Sequence, residues 1–210
     1  GLSSTLVKKH TLDDPTLSDE EIAAYYAAVE DFSDNPAYGQ LIVCQIPKNT
    51  PISTLEAKLY RWQQECDIGL CIIDSPDMLS PDHRYAEERH NLNDIVNATK
   101  GLAISFDGGR GLRILAPWQA SRSGQKEARD SGRYTKDCLS DTQMAEKRAD
   151  VIVALLEDPA EPYKLKGQTL KNRDSAPQDF ELVAELDHYY IGSDQSLDEA
   201  GDGINVASLM

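Results

Sequence analysis

From Ile68 to Ile73 the chain reads IGLCII, an apolar run softened only by small Gly69 and Cys71, and it stops abruptly at Asp74. The run is too short for a globular helix. It fits a strand buried on both faces of a parallel sheet, with a carboxylate at its carboxyl end. Ahead of it, Ser18 and Glu21 form a capping-box pattern, and Ile22, Tyr25, Tyr26, Val29 and Phe32 recur at helical spacing, which predicts a helix over 18–32. Asp34, Asn35 and Pro36 stop that helix, and Gly39 to Ile46 reads as a strand broken by Pro47 to Pro51. Ser53 is placed to cap a second helix, with Leu55, Leu59 and Trp62 on one face.

Beyond Asp74 the chain turns polar through Ser80, Pro81 and DHRYAEERH. Leu92, Ile95, Val96, Thr99, Leu102 and Phe106 then mark a third helix, ended by a turn at Asp107 to Gly109 and followed by a short buried strand, Leu112 to Leu115. Ser121 to Asp137 has no apolar period and reads as a loop. A short helix from Asp141 to Arg148 leads into ADVIVALL, another strand expected to be buried on both faces. Strands near Lys164–Leu170 and Phe180–Leu186 flank KNRDSAPQ, an antiparallel hairpin with Lys171 and Arg173 at its tip. The alternation predicts an α/β fold, a mainly parallel sheet with helices on both faces. Residues 1–192 form the domain in this reading, and 193–210 a flexible acidic tail.

Composition narrows the function classes. At 210 residues the chain is long enough for one sizeable core. A net charge of −15 excludes a surface that grips nucleic acid everywhere, leaving only a local basic patch or a channel built by several subunits. Cys44, Cys66, Cys71 and Cys138 show no ligand spacing and read as reduced thiols of a cytoplasmic protein. No stretch is long and apolar enough to span a bilayer, so no membrane partner is expected. The first residue is Gly, as expected of a chain cut from a longer protein or carrying a tag remnant.

Two stretches invite chemistry. An Asp at the carboxyl end of a parallel strand lies where α/β sheets bind ligands, and there it often holds a metal ion beside nucleotide phosphates. On this stretch alone, however, the better fit is the start of a turn or a cap, with Ser75, Pro76 and Asp77 as turn formers. The segment 121–137 carries Arg122, Lys126, Arg129, Arg133 and Lys136 against Glu127, Asp130 and Asp137, a basic loop that suits either a polyanion contact or plain solvation. His83, His90 and His188 are scattered without nucleophile–base spacing.

In this order the segments resemble the RecA-like ATPase domain of DnaB-type replicative helicases and their phage relatives, from about Leu6 to about Tyr190. IGLCIIDSPDML resembles the family's second nucleotide motif, which implies that Asp74 is the magnesium-associated carboxylate. WQASR resembles the segment after the next strand, which implies that Gln119 senses phosphate state and that Arg122 matches the family's arginine. The basic loop falls where the family contacts single-stranded DNA at the channel of a homo-oligomeric ring. CLSDTQMAEKRADVIVALL resembles the helix and strand after that loop, though Ser140, Asp141, Thr142 and Gln143 stand where the family has Arg-Glu-Ser-Gly. LKNR resembles the hairpin that reaches the neighbouring subunit's nucleotide, so Lys171 and Arg173 are implied to act in trans, as an arginine finger and its partner.

One departure is large, because no GxxxxGK[ST] occurs among the 210 residues. The family's phosphate-binding loop, first strand and catalytic glutamate lie before the region matching Gly1 to His10. The expectation is therefore a helicase fragment whose parent uses ATP and Mg²⁺ but which itself binds nucleotide weakly and is inactive. The alternative is a degenerate RecA-like structural or interaction module without ATPase activity.

Overall fold

The computed structural model describes residues 18–135, 138, 143–158, 161–185 and 190–192; Lys136 and the expected tail 193–210 lie outside the described residues. The elements in chain order are α1 (Asp19–Asp34), β1 (Thr50–Pro51), α2 (Ile52–Gln63), β2 (Leu70–Ile72), a 3-10 turn (Pro76–Met78), β3 (Leu79–Ser80), α3 (Glu88–Gly109), β4 (Arg113–Leu115), α4 (Arg122–Ser131), α5 (Gln143–Arg148), β5 (Val151–Asp158), β6 (Glu161–Asn172), β7 (Asp179–Glu185) and β8 (Tyr190–Gly192). They fall into two compact units. The larger holds Ile42–Ala154 and Thr169–Pro177, and the other Gly1–Leu41, Leu155–Gln168 and Gln178–Met210.

The larger unit is built on α2 and α3. Spacings of three and four residues put Ile52, Leu55 and Leu59 on one stripe of α2, and the same periodicity brings Ile95, Leu102 and Phe106 of α3 into a common core with them. Removing each such side chain from water is worth about 1.5–3 kcal/mol. The α2 N-cap is Pro51 rather than Ser53, and the first-turn Ser53 N–H is instead accepted by Asp82 Oδ1 at 3.3 Å. Ser53 donates its hydroxyl to the Asp82 carboxylate at 2.5 Å, a charge-assisted bond that fastens the segment after β3. Buried Asn91 holds 81–87 in a similar way, since its Oδ1 accepts from the Tyr85 N–H at 2.8 Å and its amide donates to the Tyr85 carbonyl at 3.1 Å.

The helical conformation of α3 gives way at Phe106, with Asp107 and Gly108 at φ of 50° and 67°. This is where the Asp107–Gly109 turn signal places its end. Phe106 itself is only 1% exposed, and its ring lies 4.9 Å from that of Tyr60. Phe106→Ala is expected to cost about 3–5 kcal/mol, because the cavity opens where α3 must hold α2 and cannot collapse. Urea unfolding measures it, and a loss below about 1 kcal/mol would show that the site relaxes freely.

The sheets differ from the single, mainly parallel sheet the alternation predicts. The described strands form two parallel pairs, β1–β3 and β2–β4, and one sheet in the order β5-β6-β7-β8 whose β6–β7 and β7–β8 pairs are antiparallel. Gly39 to Ile46, expected as a strand, joins no ladder among the described residues, and Leu41 and Val43 stay 66% and 85% exposed. Two-face burial of IGLCII is also corrected. Cys71 and Ile73 face the α2–α3 core, whereas Leu70 and Ile72 are exposed, because among the described residues helices pack on one face only. Val151, Val153 and Leu155 of ADVIVALL are likewise exposed. The hairpin is as expected, with Lys164 opposite Val183 and Gln168 opposite Asp179.

Candidate functional site

Parallel pairing of Leu70 with Arg113 and of Ile72 with Leu115 makes β2 and β4 end together. The pairing extends one residue further through the Ile73 N–H, which donates to the Leu115 carbonyl at 3.0 Å. Asp74 therefore leaves the carboxyl end of one strand, and Gln119 and Arg122 come after the carboxyl end of its neighbour. This is the end of an α/β sheet at which ligands bind. Asp74 and Gln119 are both exposed. Asp74 does not cap the 3-10 turn after it, since Ser75 is the N-cap there and the Ser75 hydroxyl donates to Asp77.

The basic segment is a helix over most of its length, not the loop its composition predicts. Ser121 starts α4 by accepting the Gly124 N–H at 3.2 Å, and Gly132 ends it at φ 73° with its N–H on the Ala128 carbonyl. The packing face consists of Gly124 and Ala128, too small to register as an apolar stripe. Ala128 is fully buried, and a Cβ on Gly124 would lie 2.7 Å from the Cα of Cys138, so only glycine permits the approach. Helical geometry gathers Arg122, Lys126 and Arg129 at i, i+4 and i+7 on the opposite, exposed face, with exposed Arg133 just beyond the cap. A scattered set of charges thus becomes a directed cationic stripe.

Lys171 is the penultimate residue of β6, and Arg173 begins the turn after it. Lys171 Nζ donates to the carbonyls of Glu146 and Lys147 at 2.6 and 3.3 Å, capping the end of α5. Arg173 pairs with Asp150 at 3.0 Å, and its N–H donates to the Asp150 carbonyl at 3.0 Å. The other Asp150 oxygen takes Lys100 of α3 at 2.5 Å. The Lys100 hydrogen bond, more than the nearby Arg173 and Lys171 charges, holds this carboxyl below its ordinary value. The sequence singled out Arg173 but not Asp150, since an Asp before a strand looks like any turn residue.

A depressed carboxylate stabilises the fold above the ordinary carboxylate pKa and loses that contribution as pH falls through its folded value. Asp150→Asn is therefore expected to lower Tm at pH 7 and to flatten the fall in Tm below about pH 4. An unchanged acid slope would remove Asp150 from the acid transition.

No protein-family model matches the chain, and no curated protein sequence matches it. Solved structures do. Over 91% of its length the chain superposes on a DnaB-like replicative helicase studied for its interactions with primase, with a TM-score of 0.75 and 16% identity. It superposes equally widely on a second solved structure, that of an ATPase domain, with a TM-score of 0.73 and 16% identity. The fold is that of a DnaB-like helicase ATPase domain. The chain spans 44% of the first of these proteins and 66% of the second.

Within this helicase fold, the residues present fit a nucleotide–magnesium pair only in part. Among the described residues no group of three or more His, Cys, Asp or Glu is placed to hold a metal ion. Asp74 offers one carboxylate, and the 210 residues contain no phosphate-cradling GxxxxGK[ST]. Among the described residues no helix is long and apolar enough to cross a membrane.

Proposed function

We propose that this chain is part of the ATPase domain of a DnaB-type replicative helicase, a ring of like subunits that couples ATP hydrolysis to movement along single-stranded DNA. The superposition of 91% of the chain on the DnaB-like helicase and on the second ATPase domain is the observation that carries the reading. Asp74 then stands on the magnesium side of the nucleotide, and Gln119 reports phosphate state to α4, which begins three residues later. The stripe of Arg122, Lys126, Arg129 and Arg133, with Lys136 next in the sequence, meets the single strand as a row of phosphate contacts. Arg173 reaches the neighbouring subunit's nucleotide, where a planar guanidinium matches phosphate oxygens. Lys171, already on two carbonyls of α5, steadies the hairpin from which Arg173 extends.

Backbone N–H groups and a lysine around the phosphates supply much of a nucleotide's binding, and these 210 residues offer no such loop. Calorimetric titration with ATP and Mg²⁺ is expected to show no saturable binding at sub-millimolar concentrations. A micromolar Kd would mean that some segment of this chain builds a phosphate site of its own.

A further inference from the structure

We propose that the larger unit binds a small zwitterion with an apolar body, an aliphatic or aromatic amino acid, in the cavity between β3 and the first turns of α3. The cavity holds about 280 Å³. Buried Leu79 and Ile95, with half-buried Leu92, form its apolar floor, and exposed Lys48, Arg84, Asp77 and Glu88 form its rim. All of these residues belong to the larger unit, and none of them has a nucleotide or DNA role in the helicase reading.

The backbone around this cavity is fixed from both sides. Asn49 sits at φ 62°, with its N–H on the Met78 carbonyl at 2.8 Å and its own carbonyl accepting the Ser80 hydroxyl at 3.0 Å. Lys48 is therefore held beside β3. Arg84 lies between two anchors, since Asp82 takes the Ser53 hydroxyl and both ends of the buried Asn91 amide hold the Tyr85 backbone. None of these bonds uses a rim cation. Among the described residues Lys48, Arg84 and Glu88 form no ion pair and no side-chain hydrogen bond, whereas Asp77 accepts the Ser75 hydroxyl. An apolar floor with a few unspent polar groups on a fixed frame is the make-up of a small-ligand site.

The rim selects the occupant by charge. Arg84 offers a planar fork that matches a carboxylate, and Lys48 adds a second positive charge. Glu88 is an acceptor for an ammonium. Lys48 and Arg84 are balanced by Asp77 and Glu88, so a ligand of no net charge with separated ends fits better than a plain anion. Its apolar body leaves water on the floor of Leu79, Leu92 and Ile95. At about 30 Å³ for each water-sized group the cavity takes roughly nine, the number of non-hydrogen atoms in leucine. A nucleotide is larger than this, and Asp77 and Glu88 would repel its phosphates.

The test titrates the 210-residue chain with L-leucine, with glycine and with 4-methylpentanoate, which is leucine without its amine, and follows backbone amide shifts by NMR. L-leucine is expected to saturate, with the largest shifts at Asn49, Ser80, Arg84 and Asn91. Glycine and 4-methylpentanoate should each bind at least about fivefold more weakly, one lacking the apolar body and the other the ammonium. Lys48→Ala and Arg84→Ala should each weaken leucine about fivefold, the most an exposed charge pair usually contributes, and together should abolish saturation. Glu88→Gln should weaken leucine and leave 4-methylpentanoate unchanged. The three rim side chains are exposed, so these variants should keep the fold of the parent chain. No saturation by leucine, shifts confined to other residues, or indifference to the Arg84 and Lys48 changes overturns the proposal. Equal binding of glycine or of 4-methylpentanoate overturns it as well, because the site would then read neither the apolar body nor the second charge.

Discussion

On the proposed function, Arg173→Ala is expected to leave the 210-residue chain as stable as before and to cut ATP turnover by about 10³-fold in the ring helicase proposed to contain it. Arg173 and Asp150 are each about half exposed, and a surface ion pair of that kind contributes about 0–1 kcal/mol. Asp150 keeps Lys100 when Arg173 is removed, so no buried charge is stranded. In the proposed ring, the same weakness would let Arg173 release Asp150 and turn toward a neighbouring subunit at small cost. A finger stabilises charge that develops in the transition state, so turnover should collapse while nucleotide binding persists. Normal turnover in the variant would defeat the trans role, and a large Tm loss would make Arg173 a structural residue of the β6–β7 turn.

On the proposed function, replacing Arg122, Lys126, Arg129 and Arg133 together with alanine is expected to remove most single-stranded DNA binding and nearly all its salt dependence. Each phosphate contact on a single strand contributes about 0.7 to the slope of log affinity against log salt. Four contacts give a slope near 3, hence roughly a 50-fold fall in affinity between 50 and 200 mM salt. The variant should have little slope left. Its fold should survive, because all four side chains are exposed and α4 is held by Gly124, Ala128 and its two caps. Fluorescence anisotropy with a labelled oligonucleotide across a salt series measures both quantities. Binding that keeps its slope in the variant would take α4 out of the nucleic-acid contact.

The same helix shows where sequence reading reaches its limit. The ends of α4 are written plainly, in Ser121 and Gly132, yet hydropathy is blind to a packing face made of Gly124 and Ala128. What qualifies those residues is the proximity of Cys138, fourteen positions along the chain from Gly124, and only the tertiary structure creates it. The DnaB-like fold was legible in the order of motifs, although no single one of them was decisive.

The sequence by itself determined the elements whose stability is local or whose faces are marked by period. These are α1, α2 and α3 from their apolar spacing, the break after Phe106 from Asp107 and Gly108, the β6–β7 hairpin, and an Asp at the end of a strand. Only the tertiary structure decided which edges and faces find partners. A run such as IGLCII looks the same with one face covered as with two, and LIVCQI looks like a strand whether or not a ladder awaits it. Strand pairing and burial are properties of neighbours, not of residues. The same physics sets the charges. Lys171, Arg173 and Asp150 are ordinary turn residues in the sequence, and become a linked cluster because Lys100 of α3 and Arg173 of the hairpin tip meet on the Asp150 carboxylate while Lys171 bonds the carbonyls at the end of α5.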